Sequence, residues 1–182
     1  VTGVQTCALP ISSPALAVAK QRNIPVLEIE WAETDPAGTF SFVGDASGEP
    51  TANGGYGEAE DGGLVLHTSG TTSRPKIVPL TQANLCASAE HIKAALRLQP
   101  EDRCLNIMPL FHIHGLIAAM MSSVRAGASI FCSPGFNALS FFSWVAEAGP
   151  TWYTAVPTMH QVILTRAGRN QEIIDNAKIR LV

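Results

Sequence analysis

Charge is scarce in this chain. Only 15% of its 182 residues are Asp, Glu, Lys or Arg, against 46% hydrophobic, and the formal net charge is −3. Without a basic excess there is no electrostatic footprint for nucleic acid or for an anionic membrane, so neither is expected as a partner. Long apolar runs are missing too. The run Leu116 to Met121 is far short of the roughly 20 residues that cross a bilayer, so no transmembrane segment is expected. The four cysteines, at 7, 86, 104 and 132, form no C-x-x-C pair. That argues against a zinc site or a disulfide framework and makes reduced, intracellular thiols the default. What remains is a globular, rather apolar composition, as suits a segment whose surfaces other parts would cover.

The stretch that carries chemistry is residues 64 to 80. Asp61-Gly62-Gly63 precede a short apolar run, Leu64 to Leu66, which reads as a buried strand. The chain then passes through Thr68, Ser69, Gly70, Thr71, Thr72 and Ser73 to Arg74, Pro75 and Lys76. Hydroxyls and backbone N–H groups donate hydrogen bonds, Gly70 allows close approach of a ligand, and Lys76 adds a compact cation. This inventory suits phosphate oxygens. The same composition also suits an ordinary polar surface loop; the strand in front, the lysine behind and the following helix favour phosphate. The loop is not of the Walker type. Five residues separate Gly70 from Lys76, Pro75 replaces the second glycine, and Ile77 stands where Ser or Thr would hold magnesium.

The segment from Thr68 to Lys76 resembles the phosphate-binding signature of the adenylate-forming enzymes, T-S-G-T-T-G-x-P-K-G, departing from it at Ser73 and Ile77. A second block, Met108-Pro109-Leu110-Phe111-His112-Ile113-His114-Gly115-Leu116, follows at the expected distance. Among the adenylate-forming enzymes, which include acyl-CoA synthetases, peptide-synthetase adenylation domains and luciferases, the wording from His67 through Thr81 is most similar to the oxalate–CoA ligase branch. The resemblance implies an ATP-dependent carboxylate–CoA ligase. Its co-substrates would be ATP, coenzyme A and a small carboxylic acid, with oxalate the first to try. It also implies that Thr68, Ser69, Gly70, Thr71, Thr72, Ser73 and Lys76 hold phosphate, with Lys76 and His112 catalytic; His112 would lie beside the acyl group and the adenylate.

The resemblance covers residues 13–182 and implies an internal fragment of the AMP-binding N-terminal domain, inactive alone. The Mg2+ ligand, in an aromatic-Gly-x-Thr-Glu motif, is expected beyond Val182, as are the ribose-binding aspartate, the hinge and the mobile C-terminal domain with its lysine. Two other readings stay open: an adenylation domain that loads a carrier-protein thiol, and a nucleotide-binding remnant without catalysis. The compartment expected is the cytoplasm, peroxisomal signals being beyond reach of this stretch.

Val1 to Ile11 has neither strand alternation nor a helical stripe, resembles no part of the family, and reads as the translated complement of a sequencing adapter. Residues 1–12 are therefore expected to be non-native. Residues 13 to 23 have helical spacing, Ile24 to Ile29 reads as a strand, and 32 to 63 reads as a mobile linker with little structure. Thr81 is expected to cap a helix running to about Leu98, its core face marked by Leu85, Ile92 and Leu96. Then come a strand at Cys104 to Met108, a helix from the His112 block to about Arg125 ended by Gly127, and a strand at Ala128 to Cys132. Asn137 should cap a helix over Leu139 to Ala148, with a strand at Trp152 to Val156, a helix opened by Pro157, and one more strand starting at Lys178. Such alternation predicts an α/β fold with a mainly parallel sheet and flanking helices.

His112-Ile113-His114 read as a strand would share one face, where two rings could hold a metal. No third ligand lies nearby, so no metal is expected. His114 is expected to be structural, and Phe141-Phe142 and Trp152-Tyr153 to be packing residues.

Overall fold

The computed structural model describes residues 14–32, 34–36, 39–44, 55–68 and 76–182. Residues 1–12, the stretch read as non-native, lie outside these. The chain divides into two compact units, Val1–Gly54 and Gly55–Val182.

In the first unit, α1 (Pro14–Gln21) is followed by β1 (Glu28–Glu30) and β2 (Ser41–Val43), which pair antiparallel with Ile29 opposite Phe42. The expected strand therefore starts four residues later than Ile24. The linker expected over 32–63 is corrected as well: it contains β2 and the first residues of β3 (Gly62–Thr68). Phe40, Phe42 and Val43 have strong strand preference, and the two phenylalanine rings meet edge to face at 5.3 Å.

The second unit opens with an antiparallel hairpin of β3 and β4 (Lys76–Thr81). β4 was not expected from the sequence. Ile77 and Val78 favour a strand, but Pro79 lacks an N–H and argues against one. Among the described residues this sheet has two strands, so β4 is an edge there and tolerates the proline.

Thr81 ends the strand and caps α2 (Gln82–Leu96). Its Oγ1 accepts from the Asn84 N–H at 3.2 Å, and Asn84 Oδ1 accepts from the Thr81 N–H at 3.0 Å. This reciprocal pair satisfies two donors that the helix start leaves unpaired. The helix stops at Arg97, whose φ of 50° is left-handed. Leu85 is buried on it, while Ile92 and Leu96 are half-buried.

β5 (Arg103–Asn106) lies at the centre of a parallel sheet ordered β6-β5-β7, with β6 at Ser129–Cys132 and β7 at Trp152–Thr154. Leu181 continues the sheet through a parallel bridge to Trp152. Between β5 and β6 the chain forms a π-helix, His114–Met121, that runs directly into α3 (Ser122–Arg125); Gly127, at φ 71°, turns it into β6. α4 (Phe141–Ala148) joins β6 to β7, and α5 (Pro157–Ala167) and α6 (Gln171–Asn176) follow β7. Asn137 acts one step ahead of the helix it was expected to cap, its Oδ1 accepting from the Leu139 and Ser140 N–H groups. The short α6 was not expected.

Strand alternation explains the layering. Leu105 and Tyr153 point to one face, where Ile107, Phe141, Phe142, Val145 and Ile163 complete a core. Cys104 and Trp152 point to the other, against Leu98, Ala119 and Ala126. A fully buried side chain of this size contributes about 1.5–3 kcal/mol. The aromatics expected to pack do so: Phe141 stacks edge-on with Phe142 at 5.2 Å and with Tyr153 at 5.0 Å. The second unit thus has the α/β fold expected, a parallel sheet between helices, with β3 and β4 forming a separate antiparallel pair.

Candidate functional site

In an open parallel sheet covered by helices, ligands collect beyond the carboxyl ends of the strands. Here those ends are Asn106, Cys132 and Thr154. Asn106 is buried and ties the region together. Its Oδ1 accepts from the Met108 N–H at 3.1 Å, and its carbonyl accepts from both the N–H and the hydroxyl of Ser133, each at 3.1 Å. The chain then turns, with the His112 N–H donating to Pro109 O at 3.1 Å, and enters the π-helix, where His112 O accepts from Leu116 N at 3.0 Å.

Residues 112–114 are thus a turn and the start of the helix expected from the His112 block, and not a strand on which the two rings would share a face. The two histidines are not ligands side by side. His112 is exposed, and its Nδ1 accepts from the His114 N–H at 3.2 Å. The His114 ring is half-buried, and its Nε2 hydrogen-bonds Thr154 Oγ1 at 2.8 Å, across to the end of β7. Burial, and then the neighbouring His112, push the His114 pKa below the usual histidine value. The structural role expected for His114 therefore has a named partner. Among the described residues no group of three His, Cys, Asp or Glu side chains could hold a metal.

Gly115 is required by contact, not by dihedral. A Cβ there would fall 2.4 Å from Pro109 O and 2.8 Å from Met108 O, so the helix start can lie against the preceding backbone only without a side chain. An eight-residue π-helix at this place is unusual, since such turns are rare and cluster at functional sites. The Ser122 and Ser123 hydroxyls donate back to the carbonyls of Ala118 and Ala119.

The phosphate-binding expectation rests on the other hairpin end. Thr68, the last residue of β3, is the register partner of Lys76, the first of β4. Lys76 is exposed and makes no ion pair among the described residues. Ser69, Gly70, Thr71, Thr72 and Ser73 lie outside the described residues. A groove of about 560 Å³ elsewhere, between α4 and α6, is lined by Val145, Glu172, Ile173 and Lys178 and shares no residue with either feature.

Sequence reasoning did not single out Asn106 or Thr154. A buried Asn inside the apolar run from Cys104 to Met108 was a visible signal, because a polar group in such a run needs partners. Thr154 carried none.

A parallel sheet flanked by helices, with polar groups at the carboxyl ends of its strands, is an α/β architecture that offers a ligand crevice at those ends. The chain matches the AMP-binding enzyme family over residues 12–182 and belongs to it. It is similar to the oxalate–CoA ligase of Arabidopsis thaliana, 47% identical over 125 residues that cover 68% of this chain and 24% of that protein. It is also similar to the oxalate–CoA ligase of Saccharomyces cerevisiae, 39% identical over 110 residues covering 60% and 20%. Among solved structures, ATP-bound MatB from Rhodopseudomonas palustris matches with a TM-score of 0.59 at 28% identity, covering 66% of this chain and 24% of MatB. The chain therefore spans about a quarter of the length of these relatives, or less.

Proposed function

We propose that these residues belong to an ATP-dependent carboxylate–CoA ligase, with oxalate as the first acid to test. In the first half-reaction a carboxylate oxygen attacks the α-phosphorus of ATP and pyrophosphate leaves. In the second, the sulfur of coenzyme A attacks the acyl carbon and AMP leaves with the bonding electron pair, the thiol proton passing to solvent. Charge builds on the departing phosphates in the first step, and fixed donors with a cation stabilise it. The segment from Thr68 to Lys76 carries that inventory in its sequence, and the motif resemblance supports His112 as the residue beside the reacting carboxylate. Mg2+ would be held by residues other than those described.

The observation that carries the proposal is the hairpin register: Thr68 faces Lys76, so both ends of the hydroxyl-rich connection are held together by paired strands. Oxalate is supported by the names of the two relatives above.

The test is Lys76→Ala in the complete protein. Oxalate-dependent exchange of pyrophosphate into ATP should fall on the order of 10²–10³-fold, the usual effect of losing one preorganised donor, with a smaller change in ATP binding. An unchanged exchange rate would sink the assignment of Lys76. Failure of oxalate alongside turnover of another acid would move the substrate and leave the reaction class standing.

A further inference from the structure

The block after β5 carries two histidines, and their hydrogen bonds dictate which nitrogen of the exposed one holds its proton. His112 Nδ1 accepts from the backbone N–H of His114 at 3.2 Å. A ring nitrogen that accepts must present a lone pair, so the proton of neutral His112 resides on Nε2. Nε2 has no partner among the described residues, and the side chain is exposed. A neutral ring in this state presents a donor to the outside and cannot take a proton there. It is suited to a carboxylate or phosphoryl oxygen and unsuited to act as a general base.

The tautomer depends on where the His114 N–H points, and a second contact settles that direction. The His114 ring is anchored to Thr154 Oγ1 at 2.8 Å, so the first π-turn is tied to the end of β7. Asn106 holds the segment from the other side through the Met108 N–H, and Gly115 lets the helix start press onto Met108 and Pro109. We propose that His114 and Thr154 are positioning residues that fix His112 as the Nε2–H tautomer, so that its exposed nitrogen donates to an anionic carboxylate ligand at the carboxyl ends of β5 and β7. The carboxylate ligand rests on the ligase reading above; the tautomer and its control by Thr154 do not.

The experiment uses the complete protein labelled with ¹⁵N-histidine. The His112 signals should show an unprotonated Nδ1 and a protonated Nε2, and Thr154→Val, which removes the hydroxyl but keeps the shape, should turn them into a tautomer mixture. The same variant should lower kcat/KM for oxalate by about tenfold. His112→Gln, which keeps an outward amide N–H, should retain at least ten times the kcat/KM of His112→Leu, which keeps none; general-base catalysis would make the two equally poor. A protonated Nδ1 in the unaltered protein, or a tautomer indifferent to Thr154→Val, overturns the proposal. A ligase reading that fails on its own is recognised separately: no carboxylate would then yield AMP, while the ¹⁵N signals would still report the tautomer and its dependence on Thr154.

Discussion

The two ends of the parallel sheet are built from similar residue types and are used in opposite ways. At the amino end, every polar group of Asp102 is committed. Its carboxylate accepts from Arg180 Nε at 2.9 Å, from Thr151 Oγ1 at 2.6 Å and from the Gln99 N–H at 2.8 Å, with a second bond from Arg180 Nη2. Arg180 also donates to the carbonyls of Leu96 and Arg97 at the end of α2, and Thr151 Oγ1 accepts from the Arg103 N–H at 3.0 Å. One buried carboxylate thus ties α2, β5, the approach to β7 and the final stretch at Leu181. The Arg180 guanidinium holds the Asp102 carboxyl well below the usual carboxylate range. At the carboxyl end, Asn106 and the His114–Thr154 pair are likewise committed, but they support a histidine whose outer nitrogen has no partner among the described residues. Closed networks contribute stability; a closed network that frames one unused donor provides a place for a ligand.

Removing the centre of each network tests the contrast. Asp102→Ala should have the largest effect, because it leaves buried donors and part of a guanidinium without an acceptor. Losing one member of a buried pair costs 3–5 kcal/mol, and with Arg180 39% exposed the expected loss is about 3 kcal/mol. Urea denaturation of the complete protein should show this as a lower midpoint, while the His112 ¹⁵N signals stay unchanged. A change in those signals would mean the two ends are not independent. Asn106→Ala should cost less, about 2 kcal/mol for the buried Met108 N–H left unpaired. Unlike the first variant it should also disturb the His112 signals, and a purely thermodynamic effect would erase the distinction drawn between the two ends.

How much of this was legible in the sequence follows from how far apart the partners are. Features made by neighbours could be read: the Thr81 cap of α2, the stop at Gly127, the Pro157 helix start, and the alternation that gives a parallel sheet. The packing role of Phe141, Phe142, Trp152 and Tyr153 was readable from their apolar surroundings. Elements whose local signals conflict were not readable. β4 carries a proline that only an edge tolerates, β2 is three residues inside a Gly- and Pro-rich stretch, and α6 is a six-residue helix. Pairings across long separations were invisible altogether. Asp102 and Arg180 lie 78 residues apart and His114 and Thr154 lie 40 apart, with nothing in either local pattern to join them. Of the expected site, the structure describes Thr68, Lys76 and His112.

The smallest effect expected is on pH dependence, and it separates the two ends once more. The folded-state pKa of Asp102 is lowered, mainly by the Arg180 hydrogen bond, from an unfolded value of about 3.9. Its contribution is then complete above about pH 4 and is lost as pH falls through the lower folded value. The stability gap between the unaltered protein and Asp102→Ala should stay constant from pH 8 to about pH 5 and close in the acid range below about pH 4. His114 has the same sign at a different place. Burial lowers its folded pKa from about 6.5, so the unfolded chain binds the proton first and stability declines gently as pH drops below that value. That gentle slope should persist in Asp102→Ala, because the two groups sit at opposite ends of the sheet. Denaturation midpoints measured across this range for both proteins check each point. A gap that stays open in strong acid would show that Asp102 holds its partners without its charge, and a slope that disappears with Asp102 would show that the sheet transmits between its ends.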